Sequence, residues 1–381
     1  MSRLKIQNAR LIDARGERFG ELYASQGKIS LQPVPFDLEI DAQGLVLMPA
    51  LIDLHCHLRD PGLTYKEDIE SGMRAALKGG YGTLCAMANT KPVLSTPEMV
   101  EKNLEKAKNL RLCGLIQAAA AGLELKDETP TDWAALSKAT KLLSNDGQTI
   151  FSDEFMRELL LASAKYGFLL STHCQPERKT IARDLALLKE TRGNLHIGHI
   201  SHRESLAQIR AAKREGLRFS CEVTPHHLFG WGSDYRVNPP LREKADVDAL
   251  IQGIKDGVID CLSTDHAPHS PEDKQKGLAG ISNIEHALPI FLEVFGQNGI
   301  PLTALSEMAS RRPAELLGLR KGLLQEGYDA DLTLIDPDSP GVIRANDMIS
   351  RSHNTPFDGK AIRGKVLYTI VEGEIRYDAR N

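Results

Sequence analysis

The chain has 381 residues, 41% hydrophobic and 26% charged, a size above the roughly 250–300 residues that one hydrophobic core usually serves. Its 47 basic and 51 acidic residues leave a net charge of −4, which excludes a nucleic-acid or membrane-surface protein as the first expectation. No apolar run approaches the ~18 residues of a membrane span, and the start MSRLKIQNAR lacks a signal peptide's apolar centre. The six cysteines are scattered without a CxxC pair, which points to reduced thiols and a cytoplasmic protein.

Residues 1–48 hold short alternating runs broken by Gly and Pro (LKIQNARLID, LYASQGKISL), the signature of antiparallel strands. From residue 49, apolar strand-like runs alternate with helical periodicity: 49–54, 82–87, 112–118, 140–145, 168–173, 194–199, 218–223 and 259–264. Between the first two, Ile69, Met73, Ala76 and Leu77 fall on one helix face, and Gly79-Gly80 is a stop. Ser95-Thr96-Pro97 opens the next helix, and Ser152-Asp153-Glu154 opens another that Gly167 ends. Eight strand–helix repeats predict an α/β fold, a TIM-like (β/α)8 barrel over 49–321. The tail repeats the strand pattern of the start, so 1–48 and 322–381 are expected to form one small β-sandwich domain from both termini. The segment 224–243 (TPHHLFGWGSDYRVNPPLRE) is too long for a routine connection and predicts a structureless functional loop.

Ten of the twelve histidines fall in five patches: 55/57, 173, 196/199/202, 226/227 and 266/269. His55 and His57 follow an apolar run, and strand alternation points both to one side. Alone, such a pair is no more than two polar residues beside a turn. However, His173, His199 and Asp265 end the fifth, sixth and eighth runs, and Asp146 lies just past the fourth. In a barrel these positions share the C-terminal rim, where such enzymes place their chemistry. Imidazoles and carboxylates together suit Zn2+ or Mn2+, as one ion or as two sharing Asp146. Cys56 and Cys174 alternate away from that rim and are expected to pack in the core, while His196 and His202 belong behind it or on the surface. His226 and His227 read equally as supports for a ligand or lining of the pocket and as structural histidines without a site role, and Glu222 and Asp53 are candidate acceptors for ligating imidazoles.

These residues sit in segments with a family resemblance. PALIDLHCHLRDPGLTYKEDIESG, the MANT segment, THCQPE, HIGHIS, CEVTPHHL, RVNPPLR, STDHAPH and EGYDADLTLID resemble the cyclic amidohydrolases, specifically the class I dihydroorotases, nearly end to end. The resemblance implies a metal-dependent hydrolase that reversibly cyclises N-carbamoyl-L-aspartate to L-dihydroorotate in pyrimidine biosynthesis. It implies one metal on His55, His57 and Asp265 and a second on His173 and His199. Asp146, followed by glycine, is the expected bridge; Asp153 then caps its helix, and a carboxylated Lys141 is the minor alternative. Asp265 is implied as the catalytic base and acid, Arg59 as the carboxylate-binding arginine, Asn89 and His269 as its helpers, and Asn238 as the ring-binding residue. The segment 270–280 is expected to close over the ring.

The resemblance further implies Zn2+, one or two ions per chain, a homo-oligomer, and possible association with aspartate carbamoyltransferase. Ala88 where proline is usual, Gln175, Asn145 and a short stretch between His173 and His199 depart from the family without removing a ligand; Ala88 is expected to loosen the loop carrying Asn89. The competing readings are a dihydropyrimidinase, hydantoinase or allantoinase, or a non-catalytic subunit supporting aspartate carbamoyltransferase. Arg59 with Asn89 opposes the first two, whose rings lack a carboxylate, and the retained HxH opposes the last.

Overall fold

The computed structural model describes residues 3–380. Ahead of the barrel run β1 (Leu4–Asp13), β2 (Gly16–Ser25), β3 (Lys28–Ser30), β4 (Leu38–Asp41) and β5 (Val46–Pro49). The barrel strands are β6 (Leu51–Cys56), β7 (Tyr81–Ala86), β8 (Gly114–Gln117), β9 (Leu142–Ser144), β10 (Leu169–Thr172), β11 (Leu195–Ile197), β12 (Ser220–Val223) and β13 (Cys261–Leu262). After it come β14 (Leu332–Val342), β15 (Ala361–Val371) and β16 (Glu374–Asp378).

The barrel strands pair in parallel as two arcs, β6–β7–β8 and β9–β10–β11–β12–β13. Single parallel bridges, Ala119 to Leu143 and Cys56 to His266, join the arcs into a closed barrel. Most of these strands are buried along their whole length, as expected where helices cover one face and the barrel interior the other. All eight apolar runs overlap a barrel strand. His173 and His199 nevertheless lie just beyond the ladder, where the chain turns out over the mouth.

Helix starts follow local side-chain chemistry. Asp68 and Ser71 form a reciprocal capping box ahead of Ile69–Lys78, whose Ile69, Met73, Ala76 and Leu77 are buried. Thr96 caps Pro97–Leu110. Asp153 is not the cap expected of it. The Ser152 hydroxyl accepts from Phe155 N, because Ser152 holds the extended backbone a cap needs, whereas Asp153 is the first helical residue and pairs with Arg183 at 2.9 Å. The segment 224–243 is not wholly structureless either: Pro225–Phe229 is a short helix capped by the Thr224 hydroxyl.

The terminal strands form a mixed eight-stranded sheet, β16–β15–β14–β5–β1–β2–β3, with β4 also on β1. The expected antiparallel arrangement fails at β1, which pairs in parallel with β4 and β5. The β2–β3 excursion carries the chain back to the end from which β1 started, so β4 enters in the same direction. Leu4, Ile6 and Leu22 from the first strands pack with Leu332, Leu334 and Ile370 from the last, so neither terminus builds this core alone. β5 pairs antiparallel with β14 and runs on into β6, which seats the sheet beside the barrel.

Candidate active site

The structure brings six side chains together at the C-terminal mouth of the barrel. His55 is in β6 and His57 just past it; Asp146 follows β9, His173 follows β10, His199 follows β11 and Asp265 follows β13. All are buried. Asp146 Oδ1 lies 3.1 Å from His55 Nε2, 3.5 Å from His199 Nε2 and 3.6 Å from His173 Nδ1, while its Oδ2 lies 3.3 Å from His57 Nε2. Asp265 Oδ1 is 3.2 Å from His57 Nε2 and 3.7 Å from His55 Nε2. His173 Nδ1 and His199 Nε2 are 2.9 Å apart. Two triads have ligand atoms within 4.8 Å of one another, His55–Asp146–His199 and His55–His57–Asp265. His55 therefore faces both groups and does not belong to one alone.

Hydrogen bonds behind the rings fix which nitrogen is free. His55 Nδ1–H donates to Glu222 Oε1 at 2.7 Å, and His57 Nδ1–H donates to Asn89 Oδ1 at 2.8 Å. Both Nε2 lone pairs then point at carboxylate oxygens, an arrangement of acceptors against acceptors that needs a proton or a cation between them. His55 Nε2 and Asp146 Oδ1 are buried with no hydrogen-bond partner among the described residues. Neutral imidazoles and carboxylates with oriented lone pairs fit a divalent metal. Glu222 also accepts from His196 Nε2 at 2.9 Å and from the Ser263 hydroxyl. Burial opposes its charge, but His196 and His55 outweigh burial and hold the carboxyl well below its usual range. Asp53, the other candidate acceptor, takes no imidazole. It accepts from the backbone and hydroxyl of Thr264, tying β6 to the turn after β13, and burial pushes it up to about 7.

Three site residues have strained backbone. Arg59, His199 and Asp265 have φ of 57°, 30° and 45° in the left-handed region, at about 1–3 kcal/mol each. The His55 carbonyl holds Asp265 in place, accepting its N–H at 2.8 Å.

Next to the ligand cluster lies Arg59, 7% exposed. Its Nε donates to Pro268 O and its Nη1 to Asn89 Oδ1, each at 3.4 Å, and its Nη2 is 3.4 Å from His269 Nε2. Among the described residues it forms no ion pair. Burial lowers the guanidinium to about 10, against the pull of Asp265 and Asp146, so it stays charged at neutral pH. Arg59, Asn89 and His269 share a 300 Å3 cavity with Asp146, Asp265 and Asn238. Asn238 Nδ2 lies 3.2 Å from His173 Nε2. Of the segment 270–280, Pro271–Gln275 is helical and Leu278, Ala279 and Gly280 wall the cavity. A larger groove of 1260 Å3 opens at the opposite end of the barrel and holds none of these imidazoles.

The remaining candidates separate. Cys56 and Cys174 are buried away from the cavity, their thiols pushed up by burial, and all six cysteines are free. His202 Nδ1 accepts from Glu204 N and caps Arg203–Arg214. His227 lies between Thr224 Oγ1 at 2.8 Å and Pro239 O at 3.1 Å. His226 accepts from Asn283 Nδ2 at 3.1 Å, while its unpartnered Nε2 is 4.0 Å from Asp265 Oδ2. Lys141 cannot be a carboxylated bridge. It precedes β9 and is exposed at the N-terminal end of the barrel, because strand direction puts the start and end of one strand at opposite rims. In the loop that carries Asn89, Ala88 is buried and its carbonyl accepts from Thr90 N and Leu94 N. Sequence reading had no signal for Lys66 or Asn283, which are single polar residues outside any histidine patch.

The amidohydrolase family model matches residues 46–376. A dihydroorotase of Clostridium botulinum (strain Eklund 17B / Type B) is 40% identical, over 98% of this chain and 99% of that protein. A dihydroorotase of Aquifex aeolicus (strain VF5) is 36% identical over 99% and 100%. Among solved structures, an L-hydantoinase (dihydropyrimidinase) from Arthrobacter aurescens superposes with a TM-score of 0.89 at 25% identity, covering 98% of this chain and 96% of that one. A D-hydantoinase at 23% identity and a TM-score of 0.88 shares the fold. The barrel, its rim of imidazoles and carboxylates, and full-length similarity agree: the chain belongs to the amidohydrolase family, among the dihydroorotases.

Proposed function

We propose that the chain is a dihydroorotase, a cyclic amide hydrolase that interconverts N-carbamoyl-L-aspartate and L-dihydroorotate with water. The observation that carries the substrate reading is Arg59, a buried cation without an ion-pair partner, opening into the same cavity as the ligand cluster. A buried unpaired charge is costly, and a substrate carboxylate would neutralise it. Hydantoin and dihydropyrimidine rings carry no such group.

In this reading Arg59 grips both carboxylate oxygens, aided by Asn89 and His269, with Asn238 near the ring. His55, His57 and Asp265 would hold one cation and Asp146, His173 and His199 another; Asp146 reaches both groups, its Oδ1 facing His55, His173 and His199 and its Oδ2 facing His57. Bound there, one or two divalent ions such as Zn2+ supply Lewis acidity, acidifying water and polarising a carbonyl. Asp265 turns Oδ1 towards His55 and His57. Its Oδ2 takes the proton of the attacking water and passes it to the ring nitrogen as the amide bond breaks. Cyclisation uses the same transfers in reverse. We also propose a cytoplasmic, homo-oligomeric enzyme of pyrimidine biosynthesis that can associate with aspartate carbamoyltransferase. The proposed domain limits are 1–48 with 322–381 for the sandwich and 49–321 for the barrel; residues 1, 2 and 381 lie outside the described ones.

The test follows far-UV amide absorbance on metal-quantified protein, with dihydroorotate against hydantoin, dihydrouracil and allantoin. Dihydroorotate is expected to be turned over in preference, and Asp265→Asn to retain metal in part while losing turnover. Preference for a neutral ring would defeat the substrate reading, and near wild-type turnover in Asp265→Asn would defeat the proposed base.

A further inference from the structure

Lys66 stands just ahead of the helix Ile69–Lys78 and is 5% exposed. Its Nζ lies 3.3 Å from His269 Nδ1 and 3.0 Å from Asp273 Oδ2. An ammonium can only donate, so His269 Nδ1 must accept. A neutral imidazole that accepts at Nδ1 carries its hydrogen on Nε2. Asp273 is not the orienting acceptor, since its Oδ2 is 3.8 Å from His269 Nδ1, beyond a hydrogen bond. Asp273 instead accepts from Lys66 and from the Tyr65 hydroxyl at 3.2 Å. The other end of the ring, His269 Nε2, is 3.4 Å from Arg59 Nη2. Two donors cannot bond each other, so both N–H groups are left facing the cavity with an acceptor missing between them.

We propose that Lys66 is a positioning residue that locks His269 as the Nε2–H tautomer, so that His269 and Arg59 present adjacent donors to the substrate carboxylate. The inference rests on the dihydroorotase reading and deepens it by naming what assembles the carboxylate receptor. Burial, Arg59 and Lys66 together push the His269 imidazole down to about 3, which keeps the ring neutral and makes its tautomer the variable that matters. In the other tautomer the Nε2 lone pair would accept from Arg59 Nη2. Arg59 would then spend a donor on the protein, and His269 would offer the substrate none.

Nitrogen chemical shifts of isotope-labelled histidine, with His269→Gln used to assign the ring, read the tautomer directly. The wild-type protein is expected to show His269 as Nε2–H; an Nδ1–H ring there overturns the proposal without any variant. In Lys66→Met the ring is expected to shift towards Nδ1–H. KM for dihydroorotate should rise about tenfold or more with kcat within about threefold, as for an interaction made equally in ground and transition states. Lys66→Arg, which keeps a donor, is expected to restore both. A Lys66→Met protein that retains Nε2–H or the wild-type KM overturns the proposal. Absence of dihydroorotate turnover by the wild type would defeat the substrate reading instead, leaving the tautomer test intact.

Discussion

Replacing Arg59 with methionine keeps the aliphatic stem and removes the charge, and it should move stability and binding in opposite directions. In the free protein the guanidinium is 7% exposed and its hydrogen bonds reach only a carbonyl and an amide oxygen. Removing a buried charge with no carboxylate at ion-pair distance among the described residues, only the weaker pull of Asp265 and Asp146 from farther off, should stabilise the fold by about 1–3 kcal/mol. At about 1.2 °C per kcal/mol for a chain of this size, Tm should rise by roughly 1–4 °C. Binding loses two charge-assisted hydrogen bonds at about 1.5–3 kcal/mol each. Taking about 3–4 kcal/mol as the loss, KM for dihydroorotate should rise about 100- to 1000-fold. Any turnover of dihydrouracil, which lacks the carboxylate, should be untouched. Differential scanning calorimetry and steady-state kinetics on one preparation read both effects. A lower Tm, or an unchanged KM for dihydroorotate, would refute the view of Arg59 as a cation held in waiting for an anion.

Glu222→Gln should weaken the acceptor behind His55 Nδ1 and lower metal affinity about 10- to 100-fold in a chelator competition, with kcat at saturating metal within a few-fold; unchanged affinity would count against the orienting role. Asp184 gives a pH-dependent outcome. Burial raises its carboxyl to about 6 against the pull of Arg183, so the folded state binds a proton more tightly than the unfolded one. Its contribution is complete below the ordinary value of 3.8 and is lost as pH rises to about 6, a change of about 3 kcal/mol. Asp184→Asn, which mimics the protonated form, should therefore gain Tm relative to wild type between pH 4 and pH 7; a pH-independent difference would contradict this.

The barrel was legible because a parallel strand buried on both sides must be a short apolar run, and PALIDL, FLLSTH and NLHIGH announce themselves against the helical period between them. The rim was legible for a related reason: a histidine or aspartate ending such a run can only stand at the mouth. What the sequence hid depends on contacts made across the chain. Glu222 and Asp53 read as equal candidates to orient an imidazole, and only the fold sets Glu222 beneath His55 and beside His196. That Arg59 lacks an ion pair is a property of its surroundings, absent from the motif that contains it. Lys141 and Asp146 are five positions apart yet belong to opposite rims, a distinction set by where β9 begins and ends. At β1, alternation marked a strand but left the direction of its partners open, and the return path of the chain decided it.

The barrel's two arcs pair through one isolated bridge at each seam, Ala119 to Leu143 and Cys56 to His266. His55 and His57 belong to the shorter arc, and Asp146, His173 and His199 to the longer one. A cation shared among them would serve as a clasp across the weakest lines of the cylinder. Stripping it would then slacken the staves as well as silence the chemistry, and stability and catalysis would hang on one fastening.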